Sequence, residues 1–514
     1  MVALAWLWSA LAAIANFAFR YPAFDQFRLY PIYLGLPFPD NVIQLENGHR
    51  PVLPALVRVA EILWFKADQN LQIVVGAGSA LAAALFLMTT IARERAMPAV
   101  TRAAACLLVV IAVFWLGNAR MLMHGNELVH AYFVVLFAVL AFLCVSKARQ
   151  GNERSWAAAA AVCCCAATFS FGTGAATFLA VLVLAVMTRL RLASLAIVLT
   201  AFAASMAIHL AGLPGDKGVR NSLLLDPAGN LSVLARWLAA PWMRAWLGHG
   251  EPPIEPWLQN SMSAASLGKV LVVTANWISA PLGTDAAARI AAVVGICGVV
   301  AYAAALIHAW RRPESLTTTR VVALGLSTFG VGAAVIVCLA RLHLFEHSPD
   351  QVFADRYLPW SCLFWLGLGL YPVAGNGTAT LARTAGLPCA AVVIAAIFLP
   401  SHRSLAGWSA TVSRHIQQSA VAAQLGIWDP ARFEDVAAPS DDVVKSLALL
   451  KQRRLSMFAE QGFSFVSGPW RAPAPGPALD AAYAHVSREF EDPHSHRRIA
   501  DFEGLDAPNA WAAG

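Results

Sequence analysis

LVHAYFVVLFAVLAFLCVS, residues 128–146, runs 19 positions without a charged side chain and stops at Lys147. A bilayer core of about 30 Å takes roughly 20 helical residues, so this stretch is the length of one membrane crossing. Runs of the same kind lie near 2–19, 71–92, 103–117, 156–171, 174–188, 192–211, 287–310, 320–340, 357–374 and 386–400. Together they predict an all-α polytopic membrane protein with about 11 transmembrane helices, within a range of about 10 to 13. The fifth and sixth runs are short and pinched by Gly172 and Gly174, a pattern that also fits a re-entrant pair.

Composition agrees with this reading. Hydrophobic residues make up 58% of the 514 positions, charged residues 13%, and mean hydropathy is +0.59, whereas soluble domains carry about 25% charged residues. All nine cysteines fall inside apolar runs, which excludes disulfides, CxxC zinc sites and redox motifs. The net charge of +7 does not indicate nucleic acid, because residues 401–514 hold 11 basic and 13 acidic residues and the excess sits between spans. No Lys or Arg precedes Arg20, so the first run lacks the basic flank of a signal peptide and reads as an uncleaved span.

The basic residues set the orientation. Arg93, Arg95, Arg102, Lys147, Arg149, Arg154, Arg189, Arg191, Arg311, Arg312, Arg320 and Arg383 occupy one set of connections, with Glu94, Glu153 and Glu314 as the acidic residues there. That side reads as cytoplasmic. The N-terminus is then inside, and loops 20–70, 212–286 and 341–356 are outside. With an odd span count the tail 401–514 is extracytoplasmic too. It is a soluble segment after a transmembrane domain spanning residues 1–400, with its last 40 or so residues poorly structured. Two outer stretches, 51–65 and 231–247, are amphipathic. Trp237, Trp242 and Trp246 beside Arg236 and Arg244 fit a helix at headgroup level, and a helix packed under other loops gives the same pattern.

Ionisable groups at mid-span mark ion pathways. His130, His209, Arg289 and His308 sit near span ends instead, which argues against a proton-coupled transporter. Cys163, Cys164 and Cys165 point about 100° apart on a helix and cannot converge on one ion. HLFEH (343–347) has the H-x-x-E-H form of inverted zinc proteases but lacks a third ligand, so no metal ligand is assigned. Walker A, GxGxxG and GxSxG motifs are absent. The first outer loop, RYPAFDQFRLYPIYLGLPFPDNVIQLENGHRPVLP, is the richest in chemistry. It sets Asp25, Asp40, Glu46, Arg20, Arg28, His49 and Arg50 among aromatics and prolines. Such a mixture suits a sugar and a phosphate, and a structural loop closed by its own ion pairs would look similar.

The layout of spans, the long acidic first loop and the outer tail resemble the multi-pass GT-C glycosyltransferases of bacterial envelopes. QLENGHRPVLPALV (44–57) looks like an acidic-His-Arg stretch of related envelope proteins, and DRYLPW (355–360) like an Arg-Tyr entering a late span. The resemblance implies transfer of a sugar from a polyprenyl-phosphate carrier to a glycan or lipid acceptor, at the outer face of the bacterial inner membrane. Membrane lipids are then the surroundings and nucleic acid is no partner. An inverting transfer needs a carboxylate base and cationic donors on the departing phosphate, where the planar fork of Arg serves best. Glu46 and Asp25 are the expected bases; Arg50, Arg356, Arg120 and His49 are the expected carrier-phosphate ligands. The adjacent Asp-Asp or Asp-Glu pair common in the family is missing from the first loop. No cofactor is implied with certainty, and a divalent metal stays open. Two other readings fit the same sequence: a non-catalytic membrane component of a polysaccharide assembly or export system, and a polysaccharide polymerase or ligase.

Overall fold

The computed structural model describes residues 1–46, 48–211, 227–247, 283–347, 349–374, 385–427 and 440–459. Regular structure among them is helical apart from one isolated bridge between Glu46 and His49. The chain is an all-α polytopic membrane protein. All eleven apolar runs are helices, from Val2–Phe17 to Leu387–Gln424. Seven helices among the described residues are long and apolar enough to cross a bilayer. The expected division at residue 400 falls inside Leu387–Gln424, at a proline the helix accommodates.

Several close helix contacts are made through small residues. Asn70–Ala92 buries Gly76, Ala80, Ala83 and Ala84 while Val74, Leu85 and Phe86 are exposed. Lipid offers large apolar side chains as good a medium as a neighbouring helix does, so close backbone approach through small residues supplies the packing. A side chain at Gly295 would meet the carbonyl of Ala235, and one at Gly367 the carbonyl of Ala323.

The 231–247 stretch is the packed alternative. Pro227–Trp242 buries Val233, Ala235, Trp237 and Leu238, and Trp365 Nε1 donates to the Leu238 carbonyl at 2.7 Å. Its close neighbours are Gly283–Arg311 and Thr318–His347. Val52–Phe65 is turned the other way, with Arg58 and Glu61 buried and Leu63 and Trp64 exposed.

Two compact units divide the chain. The first comprises Met1–Ala18, Val42–Val57 and Gln72–Thr411; the second comprises Phe19–Asn41, Arg58–Leu71 and Val412–Gly514. Within the first unit the connections between helices gather at two ends. At one end the Arg191 N–H and Ser194 Oγ both donate to Glu153 at 2.6 Å, Arg149 donates to the Pro313 carbonyl at 3.1 Å, and Ser146 bonds Thr318 at 2.9 Å. These belong to the basic set of connections. At the other end the 169–175 turn meets the segment after Glu46: the Leu53 N–H donates to the Phe169 carbonyl at 3.1 Å. Helices Glu153–Thr168 and Ala176–Met187 therefore run between the two ends, and their turn lies at the far one.

In the second unit the first loop and the tail share a core. Phe27, Tyr30 and Leu34 pack with Ala420, Ala423, Val443, Leu447 and Leu450.

Candidate functional site

At the far end of the first unit, residues 46–50 make a tight turn. The Glu46 N–H donates to the His49 carbonyl at 2.7 Å and the His49 N–H returns to the Glu46 carbonyl at 2.9 Å. Gly48 turns the corner at φ +76°, a conformation that costs glycine little. His49 then lies against Phe171, 4.5 Å between ring centroids, and Phe171 stacks on His130 at 5.6 Å. Gly172 makes this possible, because the imidazole fills the space a Cβ would need. The SFGTG turn is thus the floor under His49. Burial, followed by the positive field of Arg341 and the neighbouring His209, pushes the His49 imidazole down to about 4, against the opposing pull of Glu46. The ring is uncharged at neutral pH.

Arg50 leaves the same turn. Its Nη2 donates to the Ala211 carbonyl at 2.5 Å, its Nη1 to the Ile43 carbonyl, and its buried Nε has no hydrogen-bond partner. Both acceptors are neutral carbonyls, so neither supplies a counter-charge to the guanidinium.

Asp355–Tyr357 forms a short turn ahead of Leu358–Val373, whose early Pro359 suits a helix start. Arg356 donates to Gln351 Oε1 at 2.6 Å, lies 5.2 Å over the Tyr357 ring, and has a buried Nε without a partner. Asp355 is buried, with Arg244 at 3.9 Å. Tyr357 receives a hydrogen bond at 3.2 Å from Arg341, near the end of Thr318–His347. Arg341 also acts electrostatically on His49, as His209 does, and Arg50 acts on His209, so contacts and fields run from Arg50 through His209 and His49 to Arg341, Tyr357 and Arg356. No carboxylate pairs with Arg50, Arg341 or Arg356 among the described residues.

Arg120 is placed differently. Its helix, Ala119–Met123, packs beside the Asp355–Tyr357 turn. Its Nη2 and Nε donate to Glu127 at 2.9 and 3.2 Å, and His124 adds a contact at 3.6 Å. The fork expected to hold a phosphate is occupied by a carboxylate of the protein itself.

Asp25 belongs to the second unit, on the Asp25–Arg28 turn. It is half-exposed and 3.7 Å from Arg28, which also reaches Asp442 of the tail at 3.3 Å. Of the HLFEH motif, the backbone is helical through His347, and the side chains of His343, Glu346 and His347 lie outside the described residues. Trp246's side chain and residues 460–514 lie outside them too. No group of three or more metal-ligating side chains occurs among the described residues.

Arg341 escaped the sequence reading. It directly follows the ninth apolar run on the side that holds most of the carboxylates of residues 1–400, and a cation adjoining a span there was the available signal.

No protein-family model and no curated protein matches this chain. Among solved structures it is similar to ArnT from Cupriavidus metallidurans bound to undecaprenyl phosphate, at 14% identity and a TM-score of 0.35 over 88% of each chain. At that distance neither residues nor substrate carry over.

Proposed function

We propose that this chain is a membrane glycosyltransferase that takes a sugar from a polyprenyl-phosphate carrier and passes it to a glycan or lipid acceptor on the outer face of the bacterial inner membrane. The observation that carries this reading is the set of three guanidiniums, Arg50, Arg341 and Arg356. They come from three separate elements, none is paired with a carboxylate among the described residues, and an uncharged imidazole lies in the same neighbourhood. All three are half-buried, and a partly desolvated cation gains from a counter-charge. Three left with neutral acceptors suit an anion brought from outside, and a phosphate ester at the membrane surface supplies it.

The acceptor hydroxyl oxygen attacks the anomeric carbon as the bond from that carbon to the carrier phosphate oxygen breaks. The bonding pair leaves with the phosphate, and the hydroxyl proton passes to a carboxylate. Arg50, Arg341 and Arg356 stabilise the charge gathering on the departing phosphate. Neutral His49 can donate one N–H without becoming charged. Glu46 shares the turn with His49 and Arg50, and Asp25 stands half-exposed on its own turn; both stay as candidate bases.

The test is incubation of the purified full chain with a panel of polyprenyl-phosphate sugars and a crude envelope acceptor fraction, reading release of carrier phosphate. Release that falls at least tenfold in Arg50→Lys and Arg356→Lys supports the reading, since a point charge does not reproduce the fork. Release by none of the donors, together with unchanged binding of the free carrier phosphate in those variants, rejects it in favour of a non-catalytic membrane component.

A further inference from the structure

The turn that presents Asp25 is braced from several sides. Phe24, just before it, holds φ +51° and ψ −131°, a region L-residues rarely enter. Gln26 is buried: its Nε2 donates to Gln69 at 2.7 Å and its Oε1 accepts the Ala23 N–H at 3.1 Å. The next two residues are held by the tail, more than 400 positions away. The Phe27 carbonyl accepts the buried Ser446 hydroxyl, and Arg28 reaches Asp442 at 3.3 Å. Further along, Arg453 donates to the Leu34 carbonyl at 2.6 Å, and the Ser456 N–H donates to the Lys66 carbonyl at 2.7 Å. Three of the four residues in the turn are thus anchored by groups outside it. Among the described residues Asp25 makes its one ion pair within the turn, and it stays half-exposed.

We propose that the tail helix Ser440–Arg453 is the positioning element of the Asp25 carboxylate, with Asp442 acting through Arg28 and Ser446 through the Phe27 carbonyl. The C-terminal tail then belongs to the transfer machinery. This rests on the proposed glycosyl transfer and on Asp25 as one of its carboxylates. A tail serving only as ballast has no reason to place a buried hydroxyl on one carbonyl of that turn, or a carboxylate on the partner of Asp25.

The experiment uses the full chain in nanodiscs and has three arms. In Ser446→Ala, which keeps helix and packing, backbone amides of residues 25–30 exchange about fivefold faster, the loss expected for one hydrogen bond. In Asp442→Asn, kcat for carrier-phosphate release from a donor accepted by the wild type falls about fivefold while KM for that donor stays near wild type. Asp442→Glu restores it. A merely structural Asp442 lowers the melting temperature and leaves kcat of the folded protein unchanged. The third arm is Asp25→Asn: full release in this variant removes the premise and overturns the proposal with it. Loss of release in Asp25→Asn, combined with unchanged exchange in Ser446→Ala and unchanged kcat in Asp442→Asn, overturns the positioning role while the premise stands.

Discussion

Two arginines expected from the sequence to share one role have opposite surroundings. Arg356 meets a neutral amide, an aromatic face and nothing at Nε; Arg120 is closed on Glu127. Residue type was legible in both cases and partner was not, because Glu127 stands seven positions on, across a helix break at His124. The phenotypes should separate. Arg356→Lys is expected to weaken carrier-phosphate binding about tenfold with little change in thermal stability. Arg120→Met should leave intrinsic binding near wild type but cost on the order of 2 kcal/mol of stability, by stranding a largely buried carboxylate. Isothermal titration and thermal unfolding of both variants check this, and the reverse pattern would return Arg120 to the phosphate site. His49 yields a pH prediction. Its folded value, about 4, lies below the ordinary 6.5. The unfolded chain therefore binds the extra proton first, and stability falls as pH drops from about 6.5 to about 4. His49→Gln should show a smaller acid loss over that window in thermal melts.

The helices as elements were the most legible level, since a run of apolar residues needs no partner to be recognised. What they pack against was hidden. The tryptophan-rich helix Pro227–Trp242 fits a headgroup position and a packed one equally well by its own pattern, and the deciding residue is a glycine on another helix. Gly295 lets the backbone of Gly283–Arg311 approach the Ala235 carbonyl, so that Trp237 is fully buried 6.2 Å from the Tyr357 ring. A methyl at Gly295 would sit well under 3.0 Å from that carbonyl, and the obstruction is backbone, which cannot swing aside. Gly295→Ala should cost about 1 to 3 kcal/mol, seen as a lower melting temperature of the full chain. Gly369→Ala, which meets nothing within 4 Å, is the control and should melt with the wild type. Equal melting of both variants would remove the close approach from the account of the fold.

At the scale of the whole molecule, the pairing of first loop with tail was invisible, because Ser446 and Phe27 are 419 positions apart and nothing local in either names the other. Helical patterning of the tail could be read; its partner could not. The shared core has a topological consequence. Segments 19–41 and 412–458 bury Phe27, Tyr30, Val443 and Leu447 together, and two segments in one core lie on one side of the bilayer. That demands an even number of crossings between loop and tail, whichever short helices span fully. The concentration of basic residues in the other set of connections is the reason to expect that side outside the cytoplasm. Single cysteines introduced at Gly35 and Lys445, both exposed, should then react with a membrane-impermeant maleimide on intact spheroplasts. A cysteine at Gln150, in the basic set of connections, should react only after permeabilisation. The nine native cysteines lie in apolar runs and should give little background. Labelling of 35 and 445 from opposite sides would break the shared core. Labelling of both only after permeabilisation, with 150 accessible from outside, would keep the core and invert the protein, which would move the proposed transfer to the cytoplasmic face.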